Sequence, residues 1–589
     1  MRDRPYPSYV ARARSSVLLA AALSCAVAMV AANGSKAGGG RHSKLDVAVA
    51  AAKLGDEGTL RVIVTAAPGR TRHVKGKLAR KGRALHADLP LVDAVVTDLS
   101  PREIEELEAD ADVDHLSFDG PVRSFQSMVP PLSNNVVLPT LGLPDATLTG
   151  RGVGVAVVDS GILAQGELPV ATNYEFLTGV AVKSKAVDPY GHGTHVASTI
   201  MDLQSKADAP YRSIARGARL INLRVLGNDG SGLTSGVIKA IEFAVTQKAA
   251  LGIDVLNLSL GHPIYEPAAQ DPLVQAVERA VAAGIVVVVA AGNEGMNRQT
   301  GEWGYAGITS PGNAPSAITV GATDPAGTVT RQDDVVAPYS SRGPTWYDAY
   351  AKPDLVAPGR RVVAMIPKNS PLVVQYPSFV AKAATRWYMS LSGTSMSAAV
   401  TSGTAALMIE ASRGTNAAGL ALPPNAIKAI LQYTASSMPE YDELTQGAGS
   451  LNAAGAITLA RAIDPTLPLH SQWAAAVTPS TLLSNGEVLA WGQRIVWGDR
   501  IVWGDTVFWN EPAWALRIVW GDRIVWGDRI VWGDTTGIVW QDQSLWANRI
   551  VWGDNVLAWG ANGVLTWGKL VGLSAEASDR SVPGYTPVF

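Results

Sequence analysis

Four nearly continuous apolar runs, VGVAVVD (153–159), RLINLRVL (219–226), DVLNLSL (254–260) and IVVVVAA (285–291), mark the middle of the chain. Strands buried on both faces of a parallel sheet have this pattern, because neither face alternates with water. Between the later runs, TSGVIKAIEFAVTQKAA (234–250) and DPLVQAVERAVAAG (271–284) carry apolar residues at helical spacing, the second ending on a glycine stop. The alternation predicts an α/β doubly wound, mostly parallel sheet with helices on both faces. Reactive groups in such sheets gather beyond the carboxyl ends of the strands. Asp159 closes the first run, and Asn293 follows the fourth by two residues.

Upstream, strand-like runs at LRVIVT (60–65), VDAVVTDL (92–99) and VDHLSFD (113–119) predict a small α+β module. A helix lies between the last two, with Ser100 as N-cap, Pro101 at the first helical position and Glu103 completing a capping box. Downstream the composition shifts abruptly: 13 of the 17 tryptophans fall between Trp491 and Trp567, and RIVWGD occurs six times. Such an internal repeat predicts β-rich structure, with IVW as a short strand and Gly-Asp as a tight turn. The tryptophans serve as the repeat's own core, or as exposed faces that stack on sugars or dock on a surface, and the repeated strand edges also invite self-association.

A length of 589 residues with 47% hydrophobic content accommodates several domains, and a net charge of −2 gives no reason to expect nucleic acid or an anionic membrane as partner. Arg2, Arg4, Arg12 and Arg14 precede an apolar run from Val17 to Ala32, too short for a comfortable membrane span. This predicts a secretory signal (1–32) cut before Asn33, which removes Cys25, the chain's single cysteine. The alternative is a lipid anchor on Cys25, although Ala22, Leu23 and Ser24 fit a lipoprotein signal poorly.

Three short segments carry the chemistry: VAVVDSGI around Asp159, DPYGHGTHVAS around His192 and LSGTSMSAA around Ser395. A serine hydroxyl is a weak nucleophile that needs a base to take its proton, and the base needs a carboxylate to fix its tautomer. Asp159, His192 and Ser395 can fill those roles. His192 and His195 lie three apart without the intervening glutamate of a zinc-peptidase pair, so no metal is expected there.

The order Asp, His, Ser is one of three in which this triad is built, and all three segments resemble the active-site motifs of the subtilisin-like serine proteases over roughly residues 135–460. The resemblance implies a secreted serine endopeptidase with a catalytic domain at 133–465. His192 is then the base, and His195 is a packed helix residue. Asn293 in AAGNEG becomes an oxyanion donor beside the backbone at the helix start of Ser395. Ser259, Leu260 and Gly261 in NLSLG, with Ala290, Ala291 and Gly292, are then the segments that flank a peptide substrate. The module at 45–128 resembles an inhibitory propeptide, an intramolecular partner of the catalytic domain, with SMVPPLSNN (127–135) as an exposed cleavage zone. Ala399 and Val400 depart from the proline and histidine usual in the family, at positions the triad does not use. No cofactor is required for the chemistry, and structural calcium, common among relatives, has no ligands that can be matched here. The remaining layout is a linker (466–485), the repeat region (486–570) and a C-terminal tail (571–589). The rival function is a surface- or glycan-binding protein in which the repeats carry the main role.

Overall fold

The computed structural model describes residues 43–54, 58–129, 136–143, 147–164, 168–203, 212–297, 301–383 and 386–497, and the backbone of strands 500–503, 556–559 and 565–568. The expected leader, Cys25, most of the repeats and the tail lie outside the described residues. Among the described residues no helix is long and apolar enough to cross a membrane. The chain divides into two compact units, 1–119 with 548–589, and 120–547.

The N-terminal unit holds helices α1 (Val47–Lys53), α2 (Thr71–Arg80) and α3 (Pro101–Glu108) and strands β1 (Leu60–Ala66), β2 (Leu85–Leu89), β3 (Ala94–Leu99) and β4 (Val113–Phe118). The strands form an antiparallel sheet in the order β2-β3-β1-β4. Val62 and Val64 alternate onto the face that packs Val74, Leu78, Ile104 and Leu107 of the helices. The capping box of α3 is formed: Ser100 N–H and Oγ both donate to Glu103 Oε2, at 2.9 and 2.6 Å. Strand β2 and helices α1 and α2 were not expected from the sequence. Leu85-His-Ala-Asp-Leu is a short run with one charged and one titratable side chain, and α2 is cationic with few apolar positions.

The second unit begins with β5 (Pro121–Ser124) and is built on a nine-stranded sheet. Its strands are β6 (Gly154–Asp159), β7 (Val170–Glu175), β8 (Val182–Lys183), β9 (Arg219–Arg224), β11 (Ile253–Leu258), β13 (Val286–Ala290), β14 (Ile318–Asp324), β15 (Val335–Val336) and β16 (Leu355–Pro358). The order runs β15-β14-β13-β11-β6-β9-β7-β8, with β16 on β14, and every pairing is parallel except those of the two-residue strands β8 and β15. From β6 the chain builds outward to β7 and β9, then crosses to β11 on the other side. The order therefore reverses beside β6, and Asp159 stands at the carboxyl end there.

Side chains alternate across this sheet. Val155, Val157, Val255, Val288 and Val320 join one core with helices α4 (His192–Ile200) and α7 (Thr394–Arg413). Ala156, Val158, Leu256, Leu258 and Val289 are buried on the other face, the side of α5 (Thr234–Thr246) and α6 (Pro272–Ala282). Asp271 caps α6, its carboxylate accepting from Leu273 N–H. Two short strands, β10 (Ser231–Leu233) and β12 (Leu260–Gly261), lie outside the main sheet and sandwich β5. The boundary expected at 128 therefore shifts: residues 120–128 belong with the second unit, because their backbone pairs there.

Beyond helices α8 (Pro424–Thr434) and α9 (Ala453–Ala462), the stretch expected as a linker is packed structure. Strands β17 (Ser480–Leu482) and β18 (Val488–Ala490) pair, and Trp473, Trp491 and Ile495 are buried in the main core. Trp491 Nε1 donates to Thr481 Oγ1 at 2.8 Å, and its ring meets Tyr433 edge-on. The first RIVW copy, β19 (Arg494–Trp497), pairs antiparallel with the second, β20 (Arg500–Trp503).

Candidate active site

Each candidate side chain is placed by the end of a regular element. Asp159 is the last residue of β6, His192 the first of α4, and Ser395 lies in the first turn of α7. Gly191 precedes α4 at φ 108°, and a Cβ there would meet the Ser370 side chain, so glycine is required for the chain to enter the helix in this direction. Gly393 precedes α7 at φ 155°.

His192 Nδ1–H donates to Asp159 Oδ1 at 2.8 Å and Oδ2 at 2.9 Å, both residues being buried. A carboxylate only accepts, so this contact fixes the ring with Nε2 as a bare acceptor, the form that can take a proton. Nε2 has no hydrogen-bond partner among the described residues. Ser395 Oγ donates to the Ser259 carbonyl at 3.0 Å and accepts from Phe125 N–H at 3.2 Å. In this state the serine hydroxyl is turned to the substrate-side backbone, and no hydrogen bond joins it to His192. A rotation of the serine side chain would be needed to direct its proton at Nε2.

Asn293 lies in the loop after β13. Its Oδ1 accepts from Thr394 N–H at 3.0 Å and Thr394 Oγ1 at 3.1 Å, which leaves Nδ2 to face the cleft, 3.5 Å from Ser127 Oγ. The start of α7 is wholly buried; Thr394 N–H is taken by Asn293 and Met396 N–H by the Gly393 carbonyl, so the Ser395 N–H is the helix-start donor left to act, with little screening from water. Ala290 ends β13; Ala291 N–H donates to Val320 and its carbonyl accepts from Thr309, while Gly292 N–H donates to Thr394 Oγ1. On the other wall, Ser259 Oγ donates to the Ser395 carbonyl and receives Asn257 Nδ2.

The cleft between these walls holds part of the chain itself. Strand β5 runs antiparallel to β10, with Arg123 opposite Ser231 and Val122 opposite Gly232, and to β12, with Arg123 opposite Gly261 and Ser124 opposite Leu260. Beyond it, Ser127 pairs antiparallel with Ser392. The Phe125 ring lies against Gly261, where a Cβ would stand 3.0 Å from Cζ. A Cβ on Gly393 would collide with the Phe125 carbonyl oxygen and would be 3.2 Å from Asn293 Nδ2. The carbonyl of Phe125 thus lies against the Gly393 that precedes α7. Ser127, at the start of the expected exposed cleavage zone, is paired rather than free, and residues 130–135 lie outside the described residues.

His195 is a packed helix residue, as the resemblance implied. Its Nε2–H is shared between the carbonyls of Val362 and Met389, and burial, aided by the nearby His192, pushes its pKa down to about 3. Sequence reasoning missed Asp188. This buried carboxylate accepts from Ser160 Oγ (2.9 Å), Tyr190 N–H (3.2 Å), Gly191 N–H (2.7 Å) and Thr194 N–H (2.8 Å). It caps α4 from four residues upstream and so fixes the position of His192. Burial pushes its carboxyl up, against the four donors that hold it down. The signal was present in DPYGH, an acid shortly before a helix start. Among the described residues no group of three His, Cys, Asp or Glu side chains could hold a metal ion, so no step is routed through calcium.

A strand-end carboxylate bonded to an imidazole, with a helix-start serine and an amide donor around one peptide carbonyl, defines the class of serine hydrolases that work through an acyl-enzyme. The chain belongs to the subtilase family, peptidase S8, and with it to the serine-type endopeptidases: the family model matches residues 150–456. It is 37% identical over 317 residues to serine protease AprX of Bacillus subtilis (strain 168), covering 53% of this chain and 67% of that protein. It is 32% identical to M-protease of Shouchella clausii (strain KSM-K16), covering 54% and 69%, and 30% identical to subtilisin E of Bacillus subtilis (strain 168), covering 57% and 75%. Among solved structures it is similar in fold to fervidolysin from Fervidobacterium pennivorans, a keratinolytic enzyme related to subtilisin, with TM-score 0.53 and 20% identity. That match covers 71% of this chain and 63% of fervidolysin, less than two thirds of its length.

Proposed function

We propose that the protein is exported as an inactive precursor and cleaves peptide bonds through an acyl-enzyme at Ser395. The observation that carries this reading is the backbone of 121–127 in the cleft, with Phe125 N–H on the Ser395 hydroxyl. A substrate would bind as this segment does, as an extra antiparallel strand between β10 and β12, with main-chain hydrogen bonds supplying most of the contact.

In the reaction His192 Nε2 takes the Ser395 proton as Oγ attacks the carbonyl carbon. Asp159 stabilises the imidazolium that forms. Negative charge develops on the carbonyl oxygen, where Asn293 Nδ2 and the Ser395 N–H are the donors offered to it. His192 then gives its proton to the leaving amine, and a water repeats the sequence on the ester. The walls offer no fixed charge to the ring of the residue before the scissile bond, which suits an apolar side chain there.

The N-terminal unit acts in this proposal as the inhibitory propeptide: it is continuous with β5, which fills the cleft until it is cut. Surface or glycan binding through the Trp repeats is the less favoured alternative, since the family match falls on the catalytic residues. Active-site labelling tests the reading. A fluorophosphonate should add once to the processed chain, on Ser395, and the product recovered from the medium should lack residues 1–32. Labelling at another residue, or none, would contradict it.

A further inference from the structure

Tyr190 occupies the loop between Asp188 and His192, and no part of the chemistry above uses it. Its position is nevertheless tightly set. Its backbone N–H donates to Asp188 Oδ1, and its ring packs under Gly230, where a Cβ would lie 2.5 Å from Cε1. The ring also borders the main core. Burial pushes its hydroxyl pKa up, so the group is neutral and its oxygen is free to accept.

That hydroxyl receives Gln126 Nε2–H at 2.5 Å, while Gln126 Oε1 accepts from Ser124 Oγ at 2.9 Å. Gln126 follows Phe125, whose carbonyl lies beside Gly393 and whose N–H rests on Ser395 Oγ. The side chain after the candidate scissile bond is therefore held by name-specific polar contacts, one from the enzyme wall and one from its own strand. Ser127 pairing with Ser392 fixes the chain on the far side of the bond. A shift of one residue would move an apolar Phe125 onto Tyr190 and break the contacts to Tyr190 and Ser392.

We propose that Tyr190 is a specificity-determining residue that reads an amide side chain directly after the scissile bond, and that it sets Phe125–Gln126 as the bond the precursor cuts in itself. This rests on the endopeptidase reading above. Ser395 Oγ attacks the Phe125 carbonyl carbon, and the C–N bond to Gln126 breaks. The serine proton passes through His192 to the new Gln126 amine, and water releases Phe125 as a carboxylate. The general consequence is a preference, in substrates, for an aromatic residue followed by glutamine or asparagine.

Intact mass of the full chain, expressed with intact Ser395 and as Ser395→Ala, locates the cut. The expected product begins at Gln126 and is absent from Ser395→Ala. Ser395-dependent cutting elsewhere, for example within 127–135, would overturn the proposal and leave the endopeptidase reading standing; no Ser395-dependent cut at all would sink both. A second readout uses the processed enzyme on two peptides, Val-Arg-Ser-Phe-Gln-Ser and the same with methionine for glutamine. One neutral hydrogen bond corresponds to about a three- to tenfold preference in kcat/KM for the glutamine peptide. In Tyr190→Phe this ratio should fall to about 1. An unchanged ratio in Tyr190→Phe would overturn the role of the hydroxyl.

Discussion

Asp188→Asn probes how the imidazole is held without touching any reacting group. The carboxylate faces four donors and no acceptor: three converge on Oδ1, and Thr194 N–H meets Oδ2 at 2.8 Å. An asparagine can keep its oxygen on the three, but its NH2 group then opposes the Thr194 N–H. The lost charge-assisted bond is worth about 1.5–3 kcal/mol, and the three that remain become neutral and weaken to about half. Removing a buried charge offsets part of this, so the net loss is about 2–4 kcal/mol. For a unit of this size that corresponds to about 2–5 °C in Tm. The helix start would also shift, and a displacement approaching 1 Å at a catalytic group costs about 100-fold in rate. A fall of about 10- to 100-fold in kcat with little change in KM is the expected signature. Melting should be measured in the Ser395→Ala background, where self-digestion is absent, and kcat on a peptide substrate with Ser395 intact. A Tm within 1 °C of the parent together with kcat within about twofold would refute the reasoning.

Trp491→Ala should cost about 3–5 kcal/mol, because it empties a buried site against Tyr433 and leaves Thr481 without its indole partner, and a chain ended at 465 should fail to give soluble enzyme. Glu103 gives a pH test: burial pushes its carboxyl up, but Arg83 and Ser100 more than reverse this and hold it down to about 2. A depressed carboxyl stabilises the folded form above its unfolded value near 4.5 and loses that contribution as pH falls towards 2. Hydrogen-exchange protection factors over residues 85–118 should fall across that window in the parent, and Glu103→Gln should flatten the dependence. Because His195 is a buried neutral ring, its NMR signals should not titrate between pH 4.5 and 9; a midpoint near 6.5 would contradict the packing described.

The parallel strands were legible because burial on both faces leaves unbroken valine, isoleucine and leucine runs, as in Val286 to Val289, and the capping box of α3 was legible because its contacts are local. The triad and Asn293 were read from short motifs whose residue types are dictated by the reaction. Strand β5 was not seen. It has four residues, includes a proline and an arginine, and is a strand only because β10 and β12 lie on either side of it, more than 100 residues away in sequence. The stretch 466–485 looked like a linker since its prolines, serines and threonines are loop formers, yet the two tryptophans that anchor it and its continuation lie 18 residues apart and meet the core separately. Tyr190 carried no local signal at all: its role depends on a partner, Gln126, that only the folded cleft brings to it.

The central claim is a serine nucleophile that first acts on its own chain. Casein hydrolysis and intact mass, measured side by side for the parent precursor and for Ser395→Ala, test it most directly. The parent should be active and shortened, and the mutant inactive and of full precursor length from the signal cut onward. Equal activity or equal shortening in the two would remove Ser395 from the mechanism and contradict the account.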